Sequence, residues 1–340
     1  MEFSWAARDG EPTLFDVGEE AALRGALPRM PRSERRILGP GDDAAVIAAP
    51  DGRYVVTSDS MIEGPDFRQA WTTPEAFGWK LVATNLADLA AMGARPTAMT
   101  VSIALPGDVR ASALEEIATG MRTACDELAP GCGVEGGDLA RSPIIVGSGT
   151  AFGDLEGRAP VLRSGARHGD VVAVSGHVGR AALGLDRLFR DAVREGEPDV
   201  FAFERLRAEA SDAELAALDA QLRPRPPVAD GVLAAQAGAT AMLDLSDGLA
   251  LDARRIALSS AVAIDLDGDA VLAVADESPG WGLDRVLAGG EDHALLATFP
   301  PGAALPGGFV PIGRVVVGQG LFVNGEGYDD LGGWDPFRAG

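Results

Sequence analysis

The pattern of hydrophobic and polar positions predicts helices and strands that alternate along the first half of the chain. The predicted elements are a helix near residues 16–27, a hairpin of 44–49 with 54–59, a helix from 73 to about 92, a strand at 98–105, a helix at 111–128 and a strand at 144–152. The third of these has the clearest start, because Thr73 suits an N-cap and Pro74 suits the first helical position.

The second half continues the alternation. Its predicted elements are a strand at 171–175, a helix at 179–189, a charged helical segment at 190–222, a helix after the prolines at 224–227, and strands at 241–245, 262–266, 293–299, 310–317 and 321–323. This alternation favours the α/β or α+β class, and 340 residues favour two domains. The pattern does not indicate a role for segment 190–222.

The charge balance changes the picture of possible partners. Lys and Arg number 29 and Asp and Glu number 51, so the formal net charge is −22. A chain this acidic lacks the basic surface of a nucleic-acid binder and would be repelled by an anionic membrane. Two interpretations of the acidity remain, a well-solvated surface and a set of aspartates that hold divalent metal ions.

The cysteines and the N-terminal residues indicate the cellular compartment in which the protein is expected. Cys125 and Cys132 are too few for a disulfide framework, and they lack the partners and spacing of a zinc site. The first residues contain no basic run before an apolar stretch, and no uncharged apolar run approaches the ~18–20 residues that span a bilayer. We therefore expect a reducing cytoplasm as the location.

Several common catalytic motifs are absent. The sequence has no GxxxxGK[ST] loop, which excludes a P-loop nucleotide site, and no G-x-S-x-G motif. Its three histidines, His168, His177 and His293, do not have the spacing of a zinc protease. The candidate chemistry is therefore left to the acidic residues.

Several aspartates follow glycine turns or lie at the ends of predicted elements. They are Asp42, Asp43, Asp59, Asp88, Asp138, Asp244 and Asp247. Aspartate also favours turns and helix caps for purely structural reasons. As a group, however, they adjoin apolar runs, where a carboxylate without a partner is costly. Asp88 shares a helix face with Asn85 and with apolar residues, which indicates an inward side chain that needs a cation. Mg²⁺, which takes oxygen ligands and substrate phosphates, suits this pattern.

Eight segments together carry a family resemblance. They are GPGDDAAV (39–46), VVTSDSMIEGPDF (55–67), KLVATNLADLAAMGARP (80–96), VEGGDLAR (134–141), RSGARHGD (163–170), LDLSDGL (243–249), GGEDHAL (289–295) and GGWDPF (332–337). In this order they resemble the thiamine-monophosphate kinase family, which belongs to the superfamily of aminoimidazole ribonucleotide synthetase and selenophosphate synthetase.

The resemblance implies the fold. We expect a two-domain aminoimidazole ribonucleotide synthetase-like architecture, α/β followed by α+β. Residues 1–153 would form an N-terminal ATP- and Mg²⁺-binding domain whose strands complete a β-barrel across a homodimer. Residues 154–340 would form a C-terminal α+β domain, with the active site between the two.

The resemblance also implies the reaction, in which ATP phosphorylates thiamine monophosphate to thiamine diphosphate with the help of several Mg²⁺ ions. The implied metal ligands are Asp43, Thr57, Ser58, Asp59, Asp88, Asp138, Asp244 and Asp247. The implied ATP-binding residues are Gly137, Asp138, Arg163 and Ser246. Glu291 and Trp334 match the region that receives the thiamine moiety, where a carboxylate and an aromatic face suit a cationic ring.

Two departures and two alternatives accompany the resemblance. Asp66 stands where the family often has a histidine that approaches the substrate, and His293-Ala294 replaces a common Tyr-Glu.

Another ATP-dependent enzyme of the superfamily is one alternative. Against it, no cysteine precedes Cys125, the chain ends in FRAG rather than in a reactive cysteine, and the phosphate-loop pattern of aminoimidazole ribonucleotide synthetase is absent. The second alternative is a catalytically silent metal- or nucleotide-binding protein on the same scaffold.

Overall fold

The chain forms two compact units. The computed structural model describes residues 5–8, 10–38, 46–275, 282–330 and 332–334. Unit 1 consists of Met1–Leu86, Pro96–Glu156 and Leu188–Glu209. Unit 2 consists of Ala87–Arg95, Gly157–Arg187 and Ala210–Gly340. The chain thus passes between the units several times, and the single domain boundary after residue 153 stays a prediction.

The described residues form helices and strands in alternation. The helices are α1 (Leu14–Ala26), α2 (Pro74–Ala91), α3 (Ala111–Leu128), α4 (Arg180–Asp191), α5 (Val200–Glu209), α6 (Asp212–Leu222), α7 (Val228–Gln236), α8 (Leu249–Ser260), α9 (Gly268–Val274) and α10 (Leu283–Ala288). The strands are β1 (Arg36–Leu38), β2 (Val46–Ile47), β3 (Val55–Ile62), β4 (Arg95–Leu105), β5 (Gly133–Arg141), β6 (Val146–Asp154), β7 (Val171–Ser175), β8 (Val193–Arg194), β9 (Glu197–Pro198), β10 (Ala241–Leu245), β11 (Ala263–Leu266), β12 (Ala294–Phe299), β13 (Val310–Val316), β14 (Gly320–Val323) and β15 (Glu326–Gly327).

A four-stranded sheet, in the order β3-β6-β4-β5, lies at the centre of unit 1. Strand β3 runs antiparallel to β6, and β4 runs parallel to β5. Helix α2 packs on one face of this sheet, because a Cβ added at Gly147 would meet Phe77 and one at Gly149 would meet Asn85. Glycine, which has no Cβ, lets the helix come this close, and the buried amide Asn85 thereby reaches the sheet.

Local signals set the ends of α2 and α3. The hydroxyl of Thr73 accepts a hydrogen bond from the backbone N–H of Ala76 at 3.0 Å, and Gly93, at φ +71°, follows the end of α2. The predicted starts and stops of both helices are confirmed within about one residue, because capping residues and helical periodicity act over short range. The last turns of α2, from Ala87 onward, belong to unit 2.

Unit 2 is built on a seven-stranded sheet in the order β10-β12-β7-β13-β11-β14-β15. Its core includes Leu243 and Leu245 of β10 and Leu249 and Ile256 of α8, so this helix covers one face. Side chains alternate along a strand, and Asp244 therefore points to the opposite face. Helix α7 packs there against β12.

Two sequence predictions about strands were wrong or incomplete. In the described part of the predicted hairpin of 44–49 with 54–59, from residue 46 onward, β2 pairs with β1 and β3 pairs with β6, so these two strands do not pair with each other. Strand β5 was not predicted, because its two consecutive glycines resemble a turn. Strand pairing depends on distant segments, which local pattern does not contain.

Among the described helices, none has both the length and the apolar character that crossing a membrane requires.

Candidate functional site

Strand β3 holds three of the predicted metal ligands. Thr57 and Asp59 are partly buried on the face toward α2, whereas Ser58 is exposed on the other face. The Ser58 hydroxyl donates to the carbonyl oxygen of Gly149 at 2.8 Å, and the Asp59 backbone N–H donates to Oδ1 of Asn85 at 3.2 Å. The strand is therefore tied to α2 through Asn85, three residues before Asp88.

Asp88 has an unusual position in its helix. Every residue from Ala76 to Ala91 is buried except Asp88, which keeps partial exposure. A helix that is buried all round normally carries apolar side chains. The predicted inward side chain of Asp88 is therefore partly accessible to solvent.

Gly137 and Asp138 lie on β5, at the opposite edge of the sheet from β3. Three strand spacings of ~4.8 Å separate these edges by about 14 Å, so the structure does not bring Asp59 and Asp138 together within the sheet. A Cβ at Gly137 would lie inside van der Waals contact with the carbonyl oxygen of Val101. Only glycine fits this pairing of β5 with β4.

A cavity of about 430 Å³ lies beside Gly137 in unit 1. Its lining includes Tyr54 and Phe152, whose ring centroids are 5.6 Å apart. Backbone of Gly136 and Gly137 forms part of the lining. The cavity combines apolar walls with exposed peptide groups, as small-molecule sites usually do.

Three further predicted site residues are either outside the described part of the chain or placed away from the other predicted ligands. Asp43 lies outside the described residues. The carboxylate of Asp66 accepts the backbone N–H of Ile62 at 2.7 Å and so closes the turn after β3. The Arg163 carbonyl accepts from Ser260 at 3.2 Å, at the end of α8 opposite to Ser246. Twelve residues of helix span about 18 Å, so the main chain of Arg163 is remote from Ser246.

In unit 2 the structure brings four predicted residues together. Strand β10 ends at Leu245, and the following turn presents two carbonyl groups. The Ser246 carbonyl accepts the backbone N–H of Glu291 at 2.8 Å, and the Asp247 carbonyl accepts that of Trp334 at 2.9 Å. Three segments that are far apart in sequence therefore converge on one turn.

Glycines permit this convergence. A Cβ at Gly290 would approach the Ser246 carbonyl oxygen to 2.8 Å, and one at Gly333 would approach the Asp247 carbonyl oxygen to 2.7 Å. Gly248 has φ +123° and would meet Ala288. The Gly-Gly pairs of the two converging segments are thus explained by close approach of backbone to backbone.

Sequence reasoning assigned no role to two buried acidic residues near these segments, Asp252 and Asp292. Asp252, on the first turn of α8, is 1% exposed. Its carboxylate accepts the N–H groups of Asp247 and Gly248 and contacts Arg255 at 2.5 Å. Burial raises the pKa of Asp252 to about 7; Arg255 opposes the rise, and Asp244 with Asp247 adds to it. The only sequence signal was an acidic residue in a first helical turn.

Asp292, in the segment GGEDHAL, is the second residue to which sequence reasoning gave no role. Its carboxylate accepts the backbone N–H groups of Gly179 at 2.5 Å and Ala181 at 2.9 Å, at the N-terminus of α4. Burial raises the pKa of Asp292 to about 7, against these two hydrogen bonds. Its neighbours Glu291 and His293 have φ +71° and +51°. Non-glycine residues in this region store strain and are frequent at functional sites.

His293 and Asp244 face each other at the end of β10. Both side chains are nearly fully buried, and 3.5 Å separates Nδ1 of His293 from Oδ2 of Asp244. Helix α7, which packs beside β12, also touches the last turn of α2, where a Cβ at Gly231 would meet the Ala90 carbonyl. Asp244 therefore lies on the same side of the unit 2 sheet as the end of α2.

The predicted metal ligands fit a hard cation in their chemistry. All are oxygen donors, which Mg²⁺ prefers, and the carboxylates of Asp244 and Asp247 are close enough to raise the pKa of Asp252. Within the described part of the chain, no three His, Cys, Asp or Glu side chains are already grouped to hold a metal.

Comparisons with known proteins agree on a family. The family model "AIR synthase related protein, N-terminal domain" matches residues 41–155. A thiamine-monophosphate kinase of Mycobacterium tuberculosis is 40% identical over 338 residues, which cover 96% of this chain and 93% of the relative. A thiamine-monophosphate kinase of Corynebacterium glutamicum is 36% identical and covers 93% of this chain and 91% of its own.

A solved structure has the same fold. It is described as "AaThiL complexed with AMPPCP and TMP", and it matches with a TM-score of 0.73 at 32% identity, covering 87% of this chain and 91% of that one. The expected aminoimidazole ribonucleotide synthetase-like α/β fold is thereby confirmed. Identity of this extent over nearly the whole length decides the family. The chain belongs to the thiamine-monophosphate kinase family.

Proposed function

We propose that this protein transfers the γ-phosphoryl group of ATP directly to the phosphate of thiamine monophosphate, which yields thiamine diphosphate and ADP. The observation that carries the proposal is the convergence of Glu291 and Trp334 on the Ser246–Asp247 turn, in a chain 40% identical to a thiamine-monophosphate kinase. The structure with an ATP analogue and TMP supports the same pair of substrates.

Binding of thiamine is assigned to Glu291 and Trp334. Trp334 is 52% exposed although its backbone is hydrogen-bonded to the turn, so the residue is anchored through its main chain and accessible to a ligand. An indole face attracts a cation such as the thiazolium ring, and the Glu291 carboxylate adds negative charge. Asp66 stays a prediction as a third contact, because its carboxylate also closes a turn.

ATP is assigned to Gly137, Asp138, Arg163 and Ser246. The cavity beside Gly137 supports this assignment, since its aromatic and other apolar lining suits a purine base. The Ser246 hydroxyl lies in the turn that also positions Glu291. This turn therefore serves the phosphate donor and the phosphate acceptor together.

Several Mg²⁺ ions belong to the proposal. Their assigned ligands are Asp43, Thr57, Ser58, Asp59, Asp88, Asp138, Asp244 and Asp247. When bound, the ions would neutralise the charge that develops on the transferring phosphoryl group. The chain itself contributes orientation. The β3 ligands are tied to α2 through Asn85. The Asp247 backbone N–H donates to Asp252, and the Asp247 carboxylate pairs with Arg255 of α8. Cytoplasmic location stays a prediction.

A product assay tests the proposed reaction. With ATP and Mg²⁺ present, we expect thiamine diphosphate from thiamine monophosphate and no phosphorylation of free thiamine, because the acceptor must be a phosphate. Chromatography separates the three thiamine forms, and a parallel assay follows ADP. Thiamine diphosphate made in one step from free thiamine, turnover of an aminoimidazole precursor alone, or no turnover at all would each refute the proposal.

We further propose a homodimer in which the four-stranded sheets of two copies complete a β-barrel. One face of the sheet is covered by α2, whereas the other carries exposed residues such as Val56 (55% exposed), Ser58, Ser60 and Ile62. Exposed apolar side chains in a group on one sheet face favour burial against a partner.

A charge placed on this open face should separate the copies. Val56→Asp is expected to shift the mass in light scattering from twice 35.0 kDa toward a single chain, because burying a carboxylate without a partner is costly. The matched control is Val317→Asp, since Val317 is 79% exposed in unit 2. A monomeric parent protein, or a Val56→Asp protein that stays dimeric, would contradict the proposal.

A further inference from the structure

We propose that Asp252 and Arg255 act as positioning residues that brace the Ser246–Gly248 turn and thereby set the thiamine-binding groups. The inference rests on the proposed function, because Glu291 and Trp334 take their roles from it. Neither Asp252 nor Arg255 belongs to the residues that the family resemblance implies, and neither is assigned a contact with substrate.

Asp252 holds the backbone of the turn from beneath. Its carboxylate accepts the N–H of Asp247 at 3.1 Å and that of Gly248 at 3.2 Å, and the residue is 1% exposed. Removing the partner of a buried carboxylate is strongly destabilising, because the charge is then left without compensation. Asp252 therefore depends on a nearby cation.

Arg255 supplies that cation and joins the two carboxylates. One terminal nitrogen of its guanidinium lies 2.5 Å from Oδ1 of Asp252, and the other lies 2.7 Å from Oδ2 of Asp247. A planar guanidinium holds two carboxylates in one fixed arrangement, which an ammonium group cannot do. The Asp247 side chain and the turn backbone are thus fixed by the same group.

The braced turn carries the substrate-binding segments. Its two carbonyl groups accept the N–H groups of Glu291 and Trp334. The backbones are packed so closely that a Cβ at Gly290 or Gly333 would clash with these carbonyl oxygens. A shift of the turn by a few tenths of an ångström must therefore move Glu291 and Trp334 as well. Among the described residues, the polar contacts of Arg255 are with Asp247 and Asp252, so its effect on thiamine monophosphate passes through the turn.

A double-mutant cycle separates positioning from general stability. The dissociation constant of thiamine monophosphate is measured by calorimetry with Mg²⁺ present for Arg255→Gln, Glu291→Gln and the double variant, well below the melting temperature of each. We expect each single change to weaken binding about tenfold. The double variant should fall well short of the hundredfold product, since Arg255 acts through a residue already removed.

The matched control is Arg314→Gln, which breaks an exposed pair with Asp265, 3.1 Å apart, in the same unit. It should bind thiamine monophosphate as the parent protein does. If Arg255→Gln does not fold, Arg255→Lys replaces it, with a severalfold loss and the same coupling expected. Parent-like binding by the Arg255 variant, or losses that multiply in full, would overturn the brace. Absence of turnover in the parent protein would overturn the proposed function instead.

Discussion

Replacing Asp88 with asparagine is expected to lower the catalytic rate at least ~100-fold while the fold survives, the scale seen when one electrostatic stabiliser is removed. Asparagine keeps the shape and removes the charge. Asp88 is the one partly accessible residue in the buried stretch of α2, and Asn85, one turn earlier, is tied to β3 beside Asp59. Without this carboxylate, the assigned ligands bind Mg²⁺ more weakly. The bound cations are needed to neutralise the phosphates of ATP and thiamine monophosphate.

Steady-state kinetics across a Mg²⁺ titration, with a thermal melt of each protein, measures the effect. The Mg²⁺ concentration for half activity should rise together with the fall in rate. Asp126→Asn is the matched control, because Asp126 is an exposed aspartate on α3, and it should behave as the parent protein. A folded Asp88→Asn protein with near-normal turnover would return Asp88 to a purely structural role.

Gly137→Ala is expected to lower the melting temperature by several degrees and to weaken ATP binding about tenfold, a change of ~1.4 kcal/mol. The added methyl group would lie inside contact with the Val101 carbonyl oxygen, so β5 must move away from β4. Overpacking of this kind costs roughly 1–3 kcal/mol. Asp138 follows directly on β5 and must move with it, which couples the loss of stability to the loss of ATP affinity.

The neighbouring glycine provides the control. A Cβ at Gly136 meets only the Cγ2 atom of Thr100, at 3.6 Å, so Gly136→Ala should keep the melting temperature. Because Gly136 lines the cavity assigned to ATP, the control for ATP affinity is Gly327→Ala in unit 2, where the added Cβ meets nothing within 4 Å. Thermal melts and titration with a non-hydrolysable ATP analogue measure the two quantities. A Gly137→Ala protein that melts like Gly136→Ala and binds the analogue like Gly327→Ala would show that close approach at Gly137 has no special importance for the nucleotide.

Helices α2 and α3 show how far local sequence reaches. Thr73-Pro74 and Gly93 mark the ends of α2, and a regular amphipathic pattern marks Ala111–Leu128. Caps and periodicity involve neighbours within a few residues, so the sequence contains the whole signal. The pairing of β3 with β6 cannot be predicted from neighbouring residues, because the two strands lie about ninety residues apart in the sequence.

The candidate site divides in the same way. Sequence motifs pointed to Asp244, Ser246, Asp247, Glu291 and Trp334, and the structure brings the last four together at one turn. The same motifs also pointed to Asp59 and Asp138, which the sheet places at opposite edges. A motif identifies residue types at element ends, but distances between ends depend on the strand order.

What the sequence alone determined was the family resemblance, the alternation of helices and strands, and the acidic residues that make phosphate chemistry with cations plausible. Only the tertiary structure decided that Asp252 is buried, that Arg255 joins it to Asp247, and that Glu291 and Trp334 depend on one turn. The physical reason is the distance along the chain over which each interaction acts. Caps, turns and periodicity act over a few residues, whereas burial of a carboxylate and its pairing with a cation depend on segments that only the packed chain brings into contact.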